Sequence, residues 1–127
     1  VYLVDANIFL EGLLKQEKSD LVSSFFQNTD LSKIFISDFA LFSIGIIMVK
    51  LIDYDSFIYF LDDMFLDRSR ILSVDKTKLD FVIKNSKDLN LDFDDAYQYS
   101  VAKLYDLELV TFDKDFNKTD VKKHLLK

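Results

Sequence analysis

An α/β domain of three layers, with a mostly parallel central sheet between two layers of helices, is the fold class this sequence predicts, on three observations. Four short apolar runs alternate with longer helical stretches in the order β-α-α-β-α-α-β-α-α-β, the pattern by which crossover helices join parallel strands. The first run, Val1-Tyr2-Leu3-Val4, is apolar throughout, as a central strand buried on both faces requires. The chain is also undivided: 127 residues, 50% hydrophobic, without proline and with Gly12 and Gly45 as its only glycines. No linker splits it, so residues 1–127 are expected to fold as a single domain.

Each element has its own warrant. Val1 to Val4 is a strand ended by Asp5, and it opens without a methionine, so a residue or two is expected to precede it. Asn7 to Leu14 reads as a helix, and Ser19 to Gln27 as another, with Leu21, Val22, Phe25 and Phe26 at helical spacing. Ile34-Phe35-Ile36 is a strand closed by Ser37 and Asp38, both side chains of the N-cap type. The helix from about Phe39 to Leu51 is apolar nearly all round, which predicts burial in the core or against a second subunit. Asp53 to Phe65 carries a helical stripe through Tyr54, Phe57, Ile58, Phe60, Leu61 and Met64. Ile71 to Val74 is a strand, Lys76 to Ser86 and Asp92 to Tyr105 are helices, and Leu107 to Phe112 is a strand ending at Asp113. With 13 Phe and 6 Tyr in so short a chain, the core cannot absorb every ring, and a homodimer is expected.

Composition narrows the chemistry. Without cysteine there is no thiolate zinc site, redox motif or thiol nucleophile, and a reducing cytoplasm is the expected compartment. His124 is the only histidine, which excludes a histidine-rich zinc site and disfavours a Ser-His-Asp triad. Two glycines cannot write a dinucleotide fingerprint or a phosphate-cradling loop. The longest apolar stretch, Phe39 to Ile52, is interrupted by Ser43, Gly45 and Lys50 and falls short of a membrane span, and no signal-peptide pattern is present. A net charge of −6 argues against a general electrostatic grip on nucleic acid. What remains is carboxylate chemistry: 22 acidic side chains, all aspartate except Glu11, Glu17 and Glu108.

In parallel sheets ligands bind beyond the carboxyl ends of the strands. Asp5, Asp38 and Asp113 each follow a strand, and Asp92, Asp94 and Asp95 open a helix whose first turn faces the same edge. Taken singly, these are ordinary caps and turn residues, and Asp95, three after Asp92, fits the acidic place of a capping box. Asn7 would likewise start the first helix, and Asp113 and Asp115 a turn. Taken together, they predict one acidic pocket. Packed carboxylates repel unless a cation neutralises them, and hard oxygen donors select Mg²⁺ or Mn²⁺. Such a site can bind a phosphodiester and activate water. A phosphatase-like or receiver-like domain with Asp5 as phosphoryl acceptor also places Asp at a strand end, but such a phosphatase wants a second Asp where Asn7 stands, and a receiver wants paired acids at its first strand end.

Three segments, Leu3-Val4-Asp5-Ala6-Asn7, Leu91-Asp92-Phe93-Asp94-Asp95-Ala96 and Leu109-Val110-Thr111-Phe112-Asp113-Lys114-Asp115-Phe116, resemble in order and spacing the PIN domain, the family that includes VapC-type toxins of prokaryotic toxin-antitoxin pairs. The resemblance spans essentially the whole chain. It implies a three-layer α/β/α fold and a Mg²⁺- or Mn²⁺-dependent ribonuclease with RNA as substrate and a cognate antitoxin as a possible partner. Matched motif by motif, it implies Asp5 as the first acid with Asn7 beside it, Asp95 as the third, and Asp113 as the fourth with Asp115 as an accessory. The second acid of the family is a Glu on the helix after strand two; here that position is Ser43, with Asp38 as the nearest carboxylate. This departure leaves a second reading open, a PIN fold kept as a binding or assembly module.

Overall fold

The computed structural model describes residues 1–126; Lys127, the last of the expected domain, lies outside the described residues. Its elements follow the expected order: β1 (Tyr2–Val4), α1 (Ala6–Leu13), α2 (Ser19–Gln27), β2 (Ile34–Ser37), α3 (Asp38–Lys50), α4 (Tyr54–Phe65), β3 (Ile71–Leu72), α5 (Leu79–Leu89), α6 (Phe93–Leu104) and β4 (Glu108–Val110). Single 3₁₀ turns lead into β2, β3 and α5, and another follows β4. The four strands pair in parallel in the spatial order β3-β2-β1-β4.

Alternation along each short strand divides the core between the two faces of the sheet. Leu3 and Leu109 face α5 and α6 in a cluster with Val82, Ala96, Val101 and Phe116. Val4, Ile34, Ile36 and Val110 face the other way, against α1 to α4, with Ile8, Phe9, Ile44 and Phe65. Both clusters consist of well-buried side chains, of which each Val, Leu, Ile or Phe contributes roughly 1.5–3 kcal/mol on leaving water. The two cores on opposite faces make the three layers.

The ends of strands differ from expectation for a definite reason. β3 stops at Leu72 rather than Val74, because the Val74 N–H is taken by the Tyr97 hydroxyl at 2.9 Å. β4 stops at Val110 rather than Phe112, because the Phe112 N–H donates to Asn7 Oδ1 at 3.3 Å and the Asp113 N–H to Thr111 Oγ1 at 3.0 Å. Side chains from distant elements replace the ladder. Helix α3 meets the core with one face: Ala40, Leu41, Ile44 and Met48 are buried, and Phe42, Ile46 and Val49 point outward on the opposite face. In a chain whose helices lie one layer deep on the sheet, an all-apolar helix keeps one face uncovered. No helix among the described residues is long and apolar enough to cross a membrane.

Candidate active site

The strand order explains why residues distant in sequence meet. From β1 the chain winds outward to β2 and β3, then returns to add β4 on the other side of β1. Neighbouring crossovers therefore diverge between β1 and β4 and leave a crevice at the carboxyl ends of these strands. The register pairs Val4 with Val110, which sets the next residues, Asp5 and Thr111, side by side. The Asp5 N–H continues the ladder to the Val110 carbonyl at 2.9 Å.

Thr111 is the hub of this junction. Its hydroxyl donates to Asp5 Oδ2 at 2.8 Å, and it accepts from Asn7 Nδ2 at 3.2 Å and from the Asp113 N–H at 3.0 Å. Asn7 thereby bridges two segments, since its Oδ1 also holds the Phe112 N–H. Asp5 caps α1 by accepting from the Ala6 N–H at 2.8 Å, and Asp113 caps the turn after β4 by accepting from the Asp115 N–H at 2.8 Å. The same carboxylates that cap these turns also line the crevice, because a cap holds its oxygens in one place at the crevice mouth.

Helix α6 delivers the third acid. Asp92 makes no side-chain cap bond, so the capping-box geometry is absent, and Asp95 is left free of that role. Carboxylate oxygens of Asp95, Asp113 and Asp115 lie within 4.8 Å of one another, as do those of Asp92, Asp94 and Asp95. One turn further along α6 stands Gln98, buried, whose Nε2 donates to Asp5 Oδ1 at 3.3 Å. The Gln98 Oε1 accepts from the Ser37 hydroxyl, and Ser37 in turn caps α3 by accepting from the Ala40 N–H at 3.0 Å. Sequence reading missed Gln98 and Thr111. The only hint of Gln98 was a polar side chain three residues after Asp95 on a helix that must be buried, and nothing local marked Thr111.

A cleft of about 250 Å³ collects Asp5, Asn7, Ser43, Asp95, Gln98 and Asp113 on its walls. Ser43 therefore faces the acids, as the resemblance implies for this position, and its hydroxyl donates back to the Phe39 carbonyl at 3.0 Å. Asp38 does not join them. Its carboxylate accepts from the Phe39 N–H at 2.8 Å, from the Tyr97 hydroxyl at 2.9 Å and from the Ser73 hydroxyl at 3.0 Å.

The electrostatics are those of uncompensated negative charge. Burial raises the Asp5 carboxyl above its ordinary value, against the pull of its bonds from Thr111 and Ala6, and Asp113 adds to the rise. Asp95 is pushed up to about 7 by burial and then by the charges of Asp113, Asp94, Asp5 and Asp115. Among the described residues none of these acids forms an ion pair. An oxygen-only donor set with surplus charge fits a hard divalent cation; Asp95, Asp113 and Asp115 bring oxygens close enough together to hold one, while Asp5, both of whose oxygens are already hydrogen-bonded, lines the cleft beside Asp95 and Asp113.

A family model described as PIN domain matches residues 2–122. Comparison with curated protein sequences gives no match. Among solved structures, FitAcB from Neisseria gonorrhoeae superposes with a TM-score of 0.78 at 19% identity, covering 98% of this chain and 97% of that one. FitAB bound to an IR36 DNA fragment gives 0.80 at 17% identity, over 100% and 99%. A toxin-antitoxin complex from Klebsiella pneumoniae gives 0.68 at 20% identity, over 91% and 90%. These likenesses concern the fold, and the family match extends over nearly the whole chain that builds it, so that this protein belongs to the PIN domain family.

Proposed function

We propose that this protein is a Mg²⁺- or Mn²⁺-dependent endoribonuclease that hydrolyses RNA phosphodiester bonds at the cleft between β1, β4 and α6. The observation that carries this reading is that Asp5, Asp95 and Asp113, from three separate segments, line one cleft, where oxygens of Asp95, Asp113 and Asp115 lie within 4.8 Å of one another. A divalent ion, when bound by these carboxylates, would supply charge for the phosphate and an activated water. The protein's own part is orientation and proton handling. Thr111, Ala6 and Gln98 hold the Asp5 carboxylate in a fixed direction, and Asn7 ties α1 to the segment after β4 so that Asp5 and Asp113 keep their spacing. Asp95 changes protonation near neutrality, which suits a group that exchanges a proton for a cation as the site fills.

Two partners belong to this reading. One neighbour in fold is a toxin-antitoxin complex and another binds a DNA fragment as FitAB, which supports a toxin role with a cognate antitoxin for this chain. A second copy is the occupant proposed for the apolar outer face of α3 and the start of α4, where Phe42, Ile46, Val49, Ile52 and Ile58 are exposed.

The test is cleavage of an unstructured RNA with Mn²⁺, with Mg²⁺ and with chelator, alongside thermal unfolding. Cleavage requires the metal, the metal raises the unfolding temperature by mass action, and Asp5→Asn and Asp113→Asn abolish both responses. Equal metal-induced shifts in parent and variants would overturn the site. Ser43 favours a second reading, a PIN fold used for binding, because it offers a hydroxyl already engaged with Phe39 where a carboxylate is the family's pattern. Ser43→Glu separates the two: under the nuclease reading it tightens divalent-ion binding and raises cleavage. A parent without metal-dependent cleavage, together with a Ser43→Glu variant of unchanged metal affinity, establishes the binding module instead.

A further inference from the structure

Phe93 is the first residue of α6 and next to Asp94 and Asp95, yet it is 48% exposed. Its ring lies 6.3 Å from Phe39 and 6.4 Å from Tyr97, centroid to centroid, and those two rings are 5.5 Å apart. The two supporting rings are fixed. Tyr97 is 7% exposed and its hydroxyl both donates to Asp38 and accepts from the Val74 N–H. Phe39 is half-buried against the core and lines the acidic cleft itself. The aromatic rim is therefore continuous with the cleft wall that bears Asp94 and Asp95.

Charge decides what such a rim is suited to bind. No lysine or arginine lines the cleft among the described residues, and Phe93 is flanked by Asp92 and Asp94 in a chain of net charge −6. With no cationic side chain in the cleft lining, a polyanionic strand is held there by uncharged contacts, and base–aromatic stacking is the sequence-tolerant contact that a neutral face provides. We propose that Phe93, braced by Phe39 and Tyr97, is a stacking platform for one unpaired nucleobase of the RNA strand next to the phosphate at the acidic cleft. This rests on the nuclease reading and adds to it a base contact of low sequence selectivity beside the cleft. Asp38 then has a role in the site through Tyr97, as the brace of the platform rather than as a ligand.

The chain contains no tryptophan, so Phe93→Trp places a single tryptophan at the platform, excited selectively apart from the six tyrosines. With Ca²⁺ in place of Mn²⁺ to hold the strand uncleaved, titration with a short unstructured oligoribonucleotide quenches its emission. In a series carrying one abasic site at successive positions, one position removes the quench. Phe93→Ala weakens binding of intact RNA by about 5- to 150-fold, the equivalent of ~1–3 kcal/mol at 1.36 kcal/mol per decade. Phe93→Tyr restores affinity, and the responsive abasic RNA binds equally to Phe93→Ala and parent. Equal affinity of Phe93→Ala and parent for intact RNA overturns the platform alone, as does equal weakening toward intact and abasic RNA. A parent that neither binds nor cleaves RNA with Mn²⁺ or Mg²⁺ overturns the nuclease reading and the platform together.

Discussion

Asp95 holds its proton up to about pH 7 in the metal-free protein, against 3.8 for an ordinary aspartate. Between these values the folded chain carries a proton that the unfolded chain has already released. Stability accordingly falls as pH rises through this interval and levels off above it, where both states are ionised. Asp5, raised mainly by burial, adds a change of the same sign. Thermal unfolding in chelator should therefore show a declining melting temperature from about pH 4 to pH 7. Asp95→Asn should flatten that decline and melt higher than the parent at neutral pH, because it removes the charge that Asp113, Asp94 and Asp5 oppose. An unchanged slope in Asp95→Asn would refute the assignment. Because cation and proton compete for the same oxygens, the stabilisation by Mg²⁺ should be larger above pH 7 than below it.

Among the elements, α3 has the most consequential terminus. Ser37 is fully buried, caps α3 through the Ala40 N–H, and donates to Gln98, which in turn holds Asp5. Ser37→Ala removes a cap and strands the Gln98 carbonyl oxygen in the core, a combined loss of about 2–4 kcal/mol. Urea unfolding measures it, and a loss below about 0.5 kcal/mol, the scale of a neutral surface change, would refute the relay. The existence of each helix and strand was legible because apolar spacing is a local property: α2 spans the predicted Ser19–Gln27. Strand ends were less so. Those of β3 and β4 are set by Tyr97 and Asn7, side chains that reach them from elsewhere in the fold.

At the scale of the molecule, the outer face of α3 and the α3–α4 turn remain apolar and uncovered. Phe42 and Ile46 are 64% and 65% exposed, and Ile52 at the turn is 75% exposed with a φ of 54°. A β-branched residue is strained in that left-handed conformation, so an apolar side chain stands there at a cost that a glycine would avoid. Strain of this kind is retained where a surface is used. Light scattering at tens of micromolar protein should give a dimer mass, and Ile46→Asp, which places a charge in the middle of the face, should give the monomer. A monomeric parent would refute the second copy as occupant.

From its sequence alone this protein determined its layers, the order of its elements and the three segments that carry acids, because hydrophobic period and strand-end chemistry act within a few residues. Only the tertiary structure decided which carboxylates share a cleft. Asp38 and Asp5 look alike in sequence, each an aspartate after a strand, but Asp5 ends the strand beside β4 at the point where the crossovers diverge, whereas Asp38 ends on the far side of β2 from that point and is bound by Tyr97 and Ser73. Strand order is set by which faces the whole chain can bury at once, so no local spacing encodes it, and with it went the neighbours of Thr111, Gln98 and Phe93.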